Sequence, residues 1–333
     1  MATRALVTGA AGFIGSHAAD RCLALGMQVV ATDDLSGGFR ENVPAAATWV
    51  RGDLRDRRFV QGLWAEYGPF EYVYHLGAYA AEGLSHFIRA FNYTTNLVAS
   101  AHLINEAVNS RRCQCFVFTS SIAVYGKGQL PMTEDLVPQP EDPYGISKYA
   151  VELDLRAAHE MFGLSSIVFR PHNVYGERQN IADKYRNVIG IFMNQLLQGQ
   201  PMTVFGDGRQ TRAFSHVDDV APVIARAPLV PAAYGKVFNI GADTPYTILE
   251  LAEEIAVAFG KPVQLKHLPA RNEVVHAFSD HHRVRQVFSP SAPIDLRTGI
   301  RRMAEWVNAR GPATPVRFTD IEVRHKLPAG WES

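Results

Sequence analysis

Apolar and polar positions give the two halves of this chain different rhythms. In the first half, short β-rich apolar runs alternate with longer stretches of helical spacing. The runs at 4–8, 28–32, 72–76 and 115–120 predict strands, and Phe13–Leu25 and Asn92–Val108 predict helices. Such alternation argues a parallel, doubly wound α/β sheet with helices on both faces. After the apolar run Ser166–Phe169 the segments shorten, and Pro and Gly become frequent (Pro201, Gly206, Gly208, Pro222, Pro228, Pro231). The expected division is 1–169, with a returning segment near 214–230, and a smaller α/β part at 170–333. Trp306 lies in a late helix. The tail from Arg310 onward has no period and is assigned no role. There is no internal repeat and no low-complexity linker.

The first strand, loop and helix carry a chemical signal. Gly9, Gly12 and Gly15 follow a G-x-x-G-x-x-G spacing between strand and helix. Glycine there permits the tight turn and lets a dinucleotide's pyrophosphate approach the helix N-terminus, where the dipole favours an anion. The next strand ends at Asp33, eighteen residues beyond Gly15 (33 − 15). An acid at that point suits the ribose hydroxyls of NAD and repels a 2′-phosphate. Arg40 keeps NADP open as the lesser reading. The first part is therefore expected to be a Rossmann-type NAD-binding domain.

Tyr144 precedes Lys148 by four residues, which on a helix puts both side chains on one face. The ammonium favours the phenolate, the form that accepts a proton. A free Tyr titrates near ~10, so acting as a base near neutrality asks for ~3 pH units, or ~4 kcal/mol. Lys148 supplies part of this, and the positive nicotinamide of an oxidised cofactor can supply more.

Composition narrows the partners. The chain has 333 residues, 47% hydrophobic and 20% charged, which fits an ordinary globular protein. Lys+Arg 33 balances Asp+Glu 33, so no bulk field recruits nucleic acid or an anionic membrane. No apolar run approaches the length of a membrane span and Met1–Thr8 lacks a signal-peptide pattern, so the chain reads as cytoplasmic. Three cysteines make no disulfide framework, and Cys113 and Cys115 read as packed thiols sharing one strand face. The histidines are scattered, and Asp280-His281-His282 lacks a spacing partner, so no metal site is expected.

These residues together resemble the extended short-chain dehydrogenase/reductase family, specifically its nucleotide-sugar epimerases and dehydratases. The resemblance covers nearly the whole chain. Its landmarks include the loop at 8–15, Asp33, Gly52-Asp53-Leu54, His75-Leu76-Gly77-Ala78, Thr119-Ser120-Ser121 and Tyr144 with Lys148. Further on stand Arg170-Pro171-His172-Asn173-Val174-Tyr175-Gly176 and Val204-Phe205-Gly206. The resemblance implies that Gly9, Gly12, Phe13, Ile14, Gly15 and Asp33 hold NAD. Asp53 and Leu54 would flank its adenine, and Gly77 and Ala78 would line its phosphates and ribose. Ser121 would bond the reacting sugar hydroxyl, Tyr144 would transfer the proton and Lys148 would hold the nicotinamide ribose. Asn173, Asn187 and Arg212 would contact the sugar-linked diphosphate, with Thr203 and Phe205 as the nucleobase wall. Arg271 would be a second clamp, but it stands only two residues before Glu273, where the family usually leaves three. Ala277 falls where the family gates bulky 2-substituents. His172 either contacts a substrate anion or is a packed imidazole. The family also implies a homodimer, paired through the helices near 92–108 and 144–161.

The stretch Ser121-Ile122-Ala123-Val124-Tyr125 selects among reactions. Dehydratases of the family carry Asp and Glu where this chain has Ile122 and Ala123, and apolar side chains cannot transfer protons. Decarboxylating members carry Glu, and 3,5-epimerases Cys, at the Ala123 place. What remains is oxidation at a carbinol and its reversal, hence 4-epimerization of a nucleotide sugar. A 4-keto reductase would use the same residues but exchange NAD(P)H each turnover. A catalytically idle NAD-binding regulator would have lost Tyr144, Lys148 or Ser121. The nucleobase and the sugar stay open.

Overall fold

Ala5, Leu6, Val7 and Thr8 are all fully buried, as a strand covered on both faces of a parallel sheet must be. They belong to β1 (Arg4–Thr8), the centre of the computed structural model, which describes residues 2–128, 130–270, 275–328 and 331. Around it lie β2 (Gln28–Asp33), β3 (Thr48–Arg51), β4 (Tyr72–His75), β5 (Cys115–Thr119) and β6 (Ser166–Pro171). With the strand Val237–Ile240 they make a seven-stranded parallel sheet. Its order is Val237–Ile240, β6, β5, β4, β1, β2, β3. The order reverses between β1 and β4, which opens a crevice at their C-terminal ends.

Helices α1 (Phe13–Ala24), α2 (Arg57–Tyr67), α3 (Glu82–Ser85), α4 (Arg89–Tyr93), α5 (Ala99–Ser110) and α6 (Pro143–Phe162) follow. Asp142 caps α6 by accepting from Gly145 N at 2.9 Å, Pro143 starts it, and Gly163 ends it at φ 75°. The run expected at Asn92–Val108 is helical throughout, with one π turn at Thr94–Val98 joining α4 to α5. There the buried Asn96 accepts from Tyr79 N (2.8 Å) and donates to Tyr79 O and Asn92 Oδ1. Asn92 in turn donates to Pro143 O at 2.8 Å, so this relay ties the loop after β4 to the start of α6. Cys113 differs from expectation: β5 begins at Cys115, and Cys113 sits in the irregular segment before it rather than on a shared strand face.

Beyond β6 come α7 (Val188–Leu197), α8 (Val217–Arg226), α9 (Ile248–Ala258), α10 (His282–Phe288) and α11 (Leu296–Arg310). α7, α9 and α11 close on a second core around Phe192, Met193, Leu251, Ile255, Ile300 and Met303. Met202–Phe205 pairs with Leu265–Leu268, and Thr211–Ala213 lies between Pro245–Thr247 and His276–Ala277. The chain also returns to the first core. α8 packs on α1 through the small residues Ala19, Cys22 and Ala221, and Phe288 of α10 meets Phe238 ring to ring at 5.1 Å.

The tail, which has no period to read, runs back across the molecule from α11. Val316 N donates to Ala182 O at 2.8 Å, and the Glu322 carboxylate caps Ala90 N and Phe91 N at 2.7 and 2.8 Å. Ile321, Leu327 and Trp331 then cover Ala81, Leu84 and Ile88. No described helix is long and apolar enough to cross a membrane.

Candidate active site

α1 starts at Gly12 with no side-chain cap, which leaves its first N–H groups facing the crevice. A Cβ on Gly15 would stand 2.0 Å from Gly9 O, and one on Gly9 (φ +67°) only 2.7 Å from Gly77 N. The loop thus closes on itself and on the end of β4 with no room for side chains. That is the cradle a pyrophosphate requires. Asp33 Oδ2 accepts from Ala11 N (3.1 Å) and Oδ1 from Leu35 N (2.8 Å), which holds the carboxylate at the crevice edge. Burial pushes its pKa up, and the Leu35 and Ala11 amides pull it back. These features fit NAD.

The opposite wall is set by a hydrogen-bond chain whose direction follows from counting protons. The Ser100 hydroxyl gives its hydrogen to Asn96 O (2.6 Å), so it accepts from His75 Nε2 (2.8 Å). The neutral ring therefore accepts at Nδ1 from the Thr8 hydroxyl, 2.8 Å away. Thr8 Oγ1 in turn accepts the Leu76 and Gly77 amides at 3.2 and 3.1 Å. Burial, and then the Lys148 charge, push His75 down to about 3, in keeping with a fixed neutral ring.

A cleft of about 860 Å³ runs from Asp33 past the glycine loop into the second core's face. Tyr144 and Lys148 line it from one face of α6, as their spacing predicts. Lys148 Nζ donates to Thr119 O at 2.9 Å and lies 4.9 Å from the Phe118 ring centroid and 5.8 Å from that of Tyr144. Burial lowers it to about 7, against the opposing charge of Glu152 one turn on. Glu152 is held in the buried interior by Arg170 and the Ser120 hydroxyl. Burial pushes the Tyr144 phenol upward; the Ser121 hydroxyl opposes this, Glu82 and Asp142 add to it, and Arg186 opposes it. Ser121 Oγ accepts from Ala123 N at 3.1 Å, and the apolar Ile122 and Ala123 line the cleft beside it.

The remaining expected residues, with one exception, line the same cleft: Gly9, Gly12, Phe13, Ile14, Gly15, Asp33, Asp53, Leu54, Gly77, Ala78, Asn173, Asn187, Thr203, Phe205 and Arg212. Arg271 lies outside the described residues. Several of these side chains already have structural work. Asp53 forms a two-toothed pair with Arg55 (2.7–3.0 Å), which holds its carboxyl below the usual range. Asn187 caps α7 by accepting from Ile189 N (3.1 Å) while donating to Val174 O (2.6 Å). Arg212 Nη1 donates to Thr211 O and Val275 O, both at 2.9 Å.

His172 is resolved as a packed imidazole. Its Nδ1 must donate to Ala213 O (3.1 Å), because a carbonyl only accepts. Its Nε2 faces His281 Nε2 at 3.0 Å, and His281 Nδ1 meets Asp243 at 2.6 Å. Burial and the neighbouring His281 push His172 down to about 3, so the ring stays neutral and its Nε2 is taken up by the contact with His281. No ring nitrogen of His172 is left for a substrate.

Sequence reasoning missed other lining residues, among them Tyr79, Glu82, Asp142, Arg186 and Trp331. Arg186 stands beside the expected Asn187, so adjacency was a usable signal. Trp331 had none, because it comes from the unpatterned tail.

Sheet order, glycine cradle, edge acid and the Tyr–Lys pair define a dinucleotide-dependent short-chain dehydrogenase/reductase of the extended type. The model of the NAD dependent epimerase/dehydratase family matches residues 5–241, and the chain belongs to that family. Within it the chain is an isomerase, an NAD-dependent nucleotide-sugar epimerase. It is 36% identical over 311 residues to the UDP-glucose 4-epimerase of Mycolicibacterium smegmatis, covering 91% of this chain and 98% of that one. The UDP-glucose 4-epimerase of Thermotoga maritima, solved with UDP-glucose, superposes with a TM-score of 0.87 at 29% identity, over 92% of this chain and 99% of that one. The UDP-glucuronic acid 4-epimerase of Bacillus cereus, solved with UDP-glucuronic acid and NAD, gives 0.84 at 26% identity, over 92% and 100%.

Proposed function

We propose that this enzyme interconverts the C4 epimers of a UDP-sugar through a transient 4-keto sugar. One observation carries the reading: Tyr144 and Ser121 meet in the cleft beside Lys148, and the next two positions are the apolar Ile122 and Ala123. That set supplies proton transfer at a carbinol and withholds the acid–base pair that elimination of water needs. NAD, when bound, supplies the oxidising and then the reducing equivalent at C4, and is regenerated in each cycle. Tyr144 takes the O4 proton and later returns it. Ser121 holds the reacting hydroxyl by a hydrogen bond, and Lys148 holds the nicotinamide ribose and biases Tyr144 toward phenolate.

In this reading residues 1–169 bind NAD, with Gly9, Gly12, Phe13, Ile14, Gly15, Asp33, Asp53, Leu54, Gly77 and Ala78 in contact. Residues 170–333 bind the nucleotide sugar. The uncapped start of α1 and the Asn187-capped start of α7 each offer a positive dipole end to an anion. Asn173, Asn187, Arg212 and Arg271 are assigned to the sugar-linked diphosphate, and Thr203 and Phe205 to the nucleobase. The Asn187 amide oxygen caps α7 and one Nδ2 hydrogen goes to Val174 O, so its second Nδ2 hydrogen, with the α7 backbone beside it, is the donor we assign. Glucose/galactose is the sugar pair favoured by the Mycolicibacterium and Thermotoga relatives, with glucuronate as the alternative from the Bacillus enzyme. Ala277, small and buried in the cleft wall, leaves an N-acetylhexosamine open. The exposed Val98, Ile146 and Leu153 along the π turn and α6 support a homodimer through those helices. The test is incubation without added cofactor with UDP-glucose, UDP-glucuronate and UDP-N-acetylglucosamine, reading products by NMR. The C4 epimer of one of them is expected. Consumption of a 4-keto sugar with NAD(P)H, and no epimer, would replace this reading with a reductase.

A further inference from the structure

An epimerase of the proposed kind must keep its cofactor through the reduced half of every cycle, because loss of NADH with the keto sugar ends turnover. We propose that Arg186, carried by the substrate-binding half, is a latch across the NAD crevice that holds the dinucleotide in place; the proposal rests on the reading above.

The geometry begins with Gly38. A Cβ there would stand 2.4 Å from Ala11 O and 2.6 Å from Gly12 N, so the loop after β2 lies directly on the cradle. On the preceding residue, Gly37, a Cβ would stand 3.0 Å from Arg186 Nη2. The guanidinium therefore covers the cradle's outer edge with one thin residue between. On its other side, its carbon lies 4.4 Å from the Tyr79 ring centroid, immediately after the Gly77–Ala78 wall. One planar cation thus touches both banks of the crevice.

Arg186 is also held there. Its Nε lies 2.7 Å from the Asp183 carboxylate, and the segment before it is bound to the first half at several points. Asn180 Nδ2 donates to Gly37 O (3.2 Å), and Arg178 pairs with Asp20 (2.6 Å). The Asp183 carboxylate lies on the Nε side of the fork as an ion pair, and both Nη atoms face Gly37, 3.0 and 3.5 Å from where a Cβ on it would stand. A guanidinium presents five N–H groups in a rigid plane that matches phosphate oxygens and stacks on an aromatic ring. The dinucleotide's diphosphate is the anion for which such a group is suited. The Arg186 charge also acts on the Tyr144 phenol, opposing the upward push of its burial.

The test uses the purified full chain, and its readout is the cofactor itself. Bound NAD per chain is measured by acid extraction, and NADH release is followed by fluorescence after chasing with excess NAD. Wild type is expected to retain NAD, and Arg186→Gln to release NADH at least tenfold faster and to purify with less than half the cofactor. Arg186→Lys keeps the charge without the plane and is expected to fall between them. Tyr79→Leu, which removes the stacking platform and leaves the main-chain bonds to Asn96, is expected to speed release in the same direction. Its effect decides the matter if Arg186→Gln does not fold. Release from Arg186→Gln and Tyr79→Leu at the wild-type rate would overturn the latch. A wild-type protein that carries and binds no NAD would instead overturn the epimerase reading itself.

Discussion

Lys148 gives the most quantitative prediction, because function requires a charge where the fold resists one. It is 3% exposed, and burial brings its pKa from an ordinary 10.5 to about 7. The difference, 3.5 pH units at about 1.4 kcal/mol each, is about 5 kcal/mol. The sign follows from proton counting. Between pH 7 and 10.5 the unfolded lysine holds a proton that the folded one tends to lose. Stability from this residue is therefore complete above 10.5, declines as pH falls, and is fully lost near 7. Replacing Lys148 with Met keeps the length of the side chain and removes the cost. The variant loses the hydrogen bond to Thr119 O and the contact over Phe118, about 1 kcal/mol each. Nucleotide-free Lys148→Met is thus expected to be more stable than wild type at pH 7 by about 3 kcal/mol, with the gain shrinking toward pH 10. Its turnover should drop by about 10²-fold to 10⁴-fold, the usual scale for proton-transfer catalysis. Urea unfolding at pH 7, 8.5 and 10 measures the first part, and product NMR the second. A variant no more stable than wild type at pH 7, with an unchanged pH slope, would refute the claim that the site stores this energy.

Three further outcomes follow. Tyr144→Phe removes only the buried hydroxyl, so the fold and NAD binding should persist while epimerization falls by about 10²-fold or more, checked by cofactor extraction and NMR. Gly15→Ala places a carbon 2.0 Å from Gly9 O; the loop must move, and bound NAD per chain should fall to a small fraction of wild type. His172, held neutral and lowered to about 3 by burial and by His281, makes the folded state bind fewer protons than the unfolded one below about 6.5. Stability from this ring is therefore lost as pH falls, by about 2 kcal/mol at pH 5. Urea unfolding at pH 7 and 5 should show a loss smaller by that amount in His172→Phe, and equal losses in the two proteins would contradict the assignment.

Much of the first half was legible because its signals are local. β1, the glycine spacing and Asp33 obey short-range rules, and so does the Tyr144–Lys148 helix face. Where each residue's environment is set by distant chain, legibility failed. The return of Val237–Ile240 to the β6 edge adds a seventh strand, and nothing in its four residues states which sheet they join. The π turn at Thr94–Val98 arises from Asn96 reaching back to Tyr79, a contact no helical pattern encodes. His172 was left between ligand and packing because its partner, His281, is 109 residues away. The tail shows the same limit most plainly. Glu322 and Trp331 have no periodicity of their own, yet one caps α4 and the other lines the cleft.

The most direct test of the central claim is label retention. The UDP-sugar that the enzyme turns over is supplied with deuterium at C4, in ordinary water, with no added cofactor, and the product is read by NMR. A sugar oxidised and reduced within one closed site must get its own hydrogen back, so the C4 epimer is expected to keep the deuterium. An epimer carrying protium at C4, or no epimer from any UDP-sugar tried, would contradict the account.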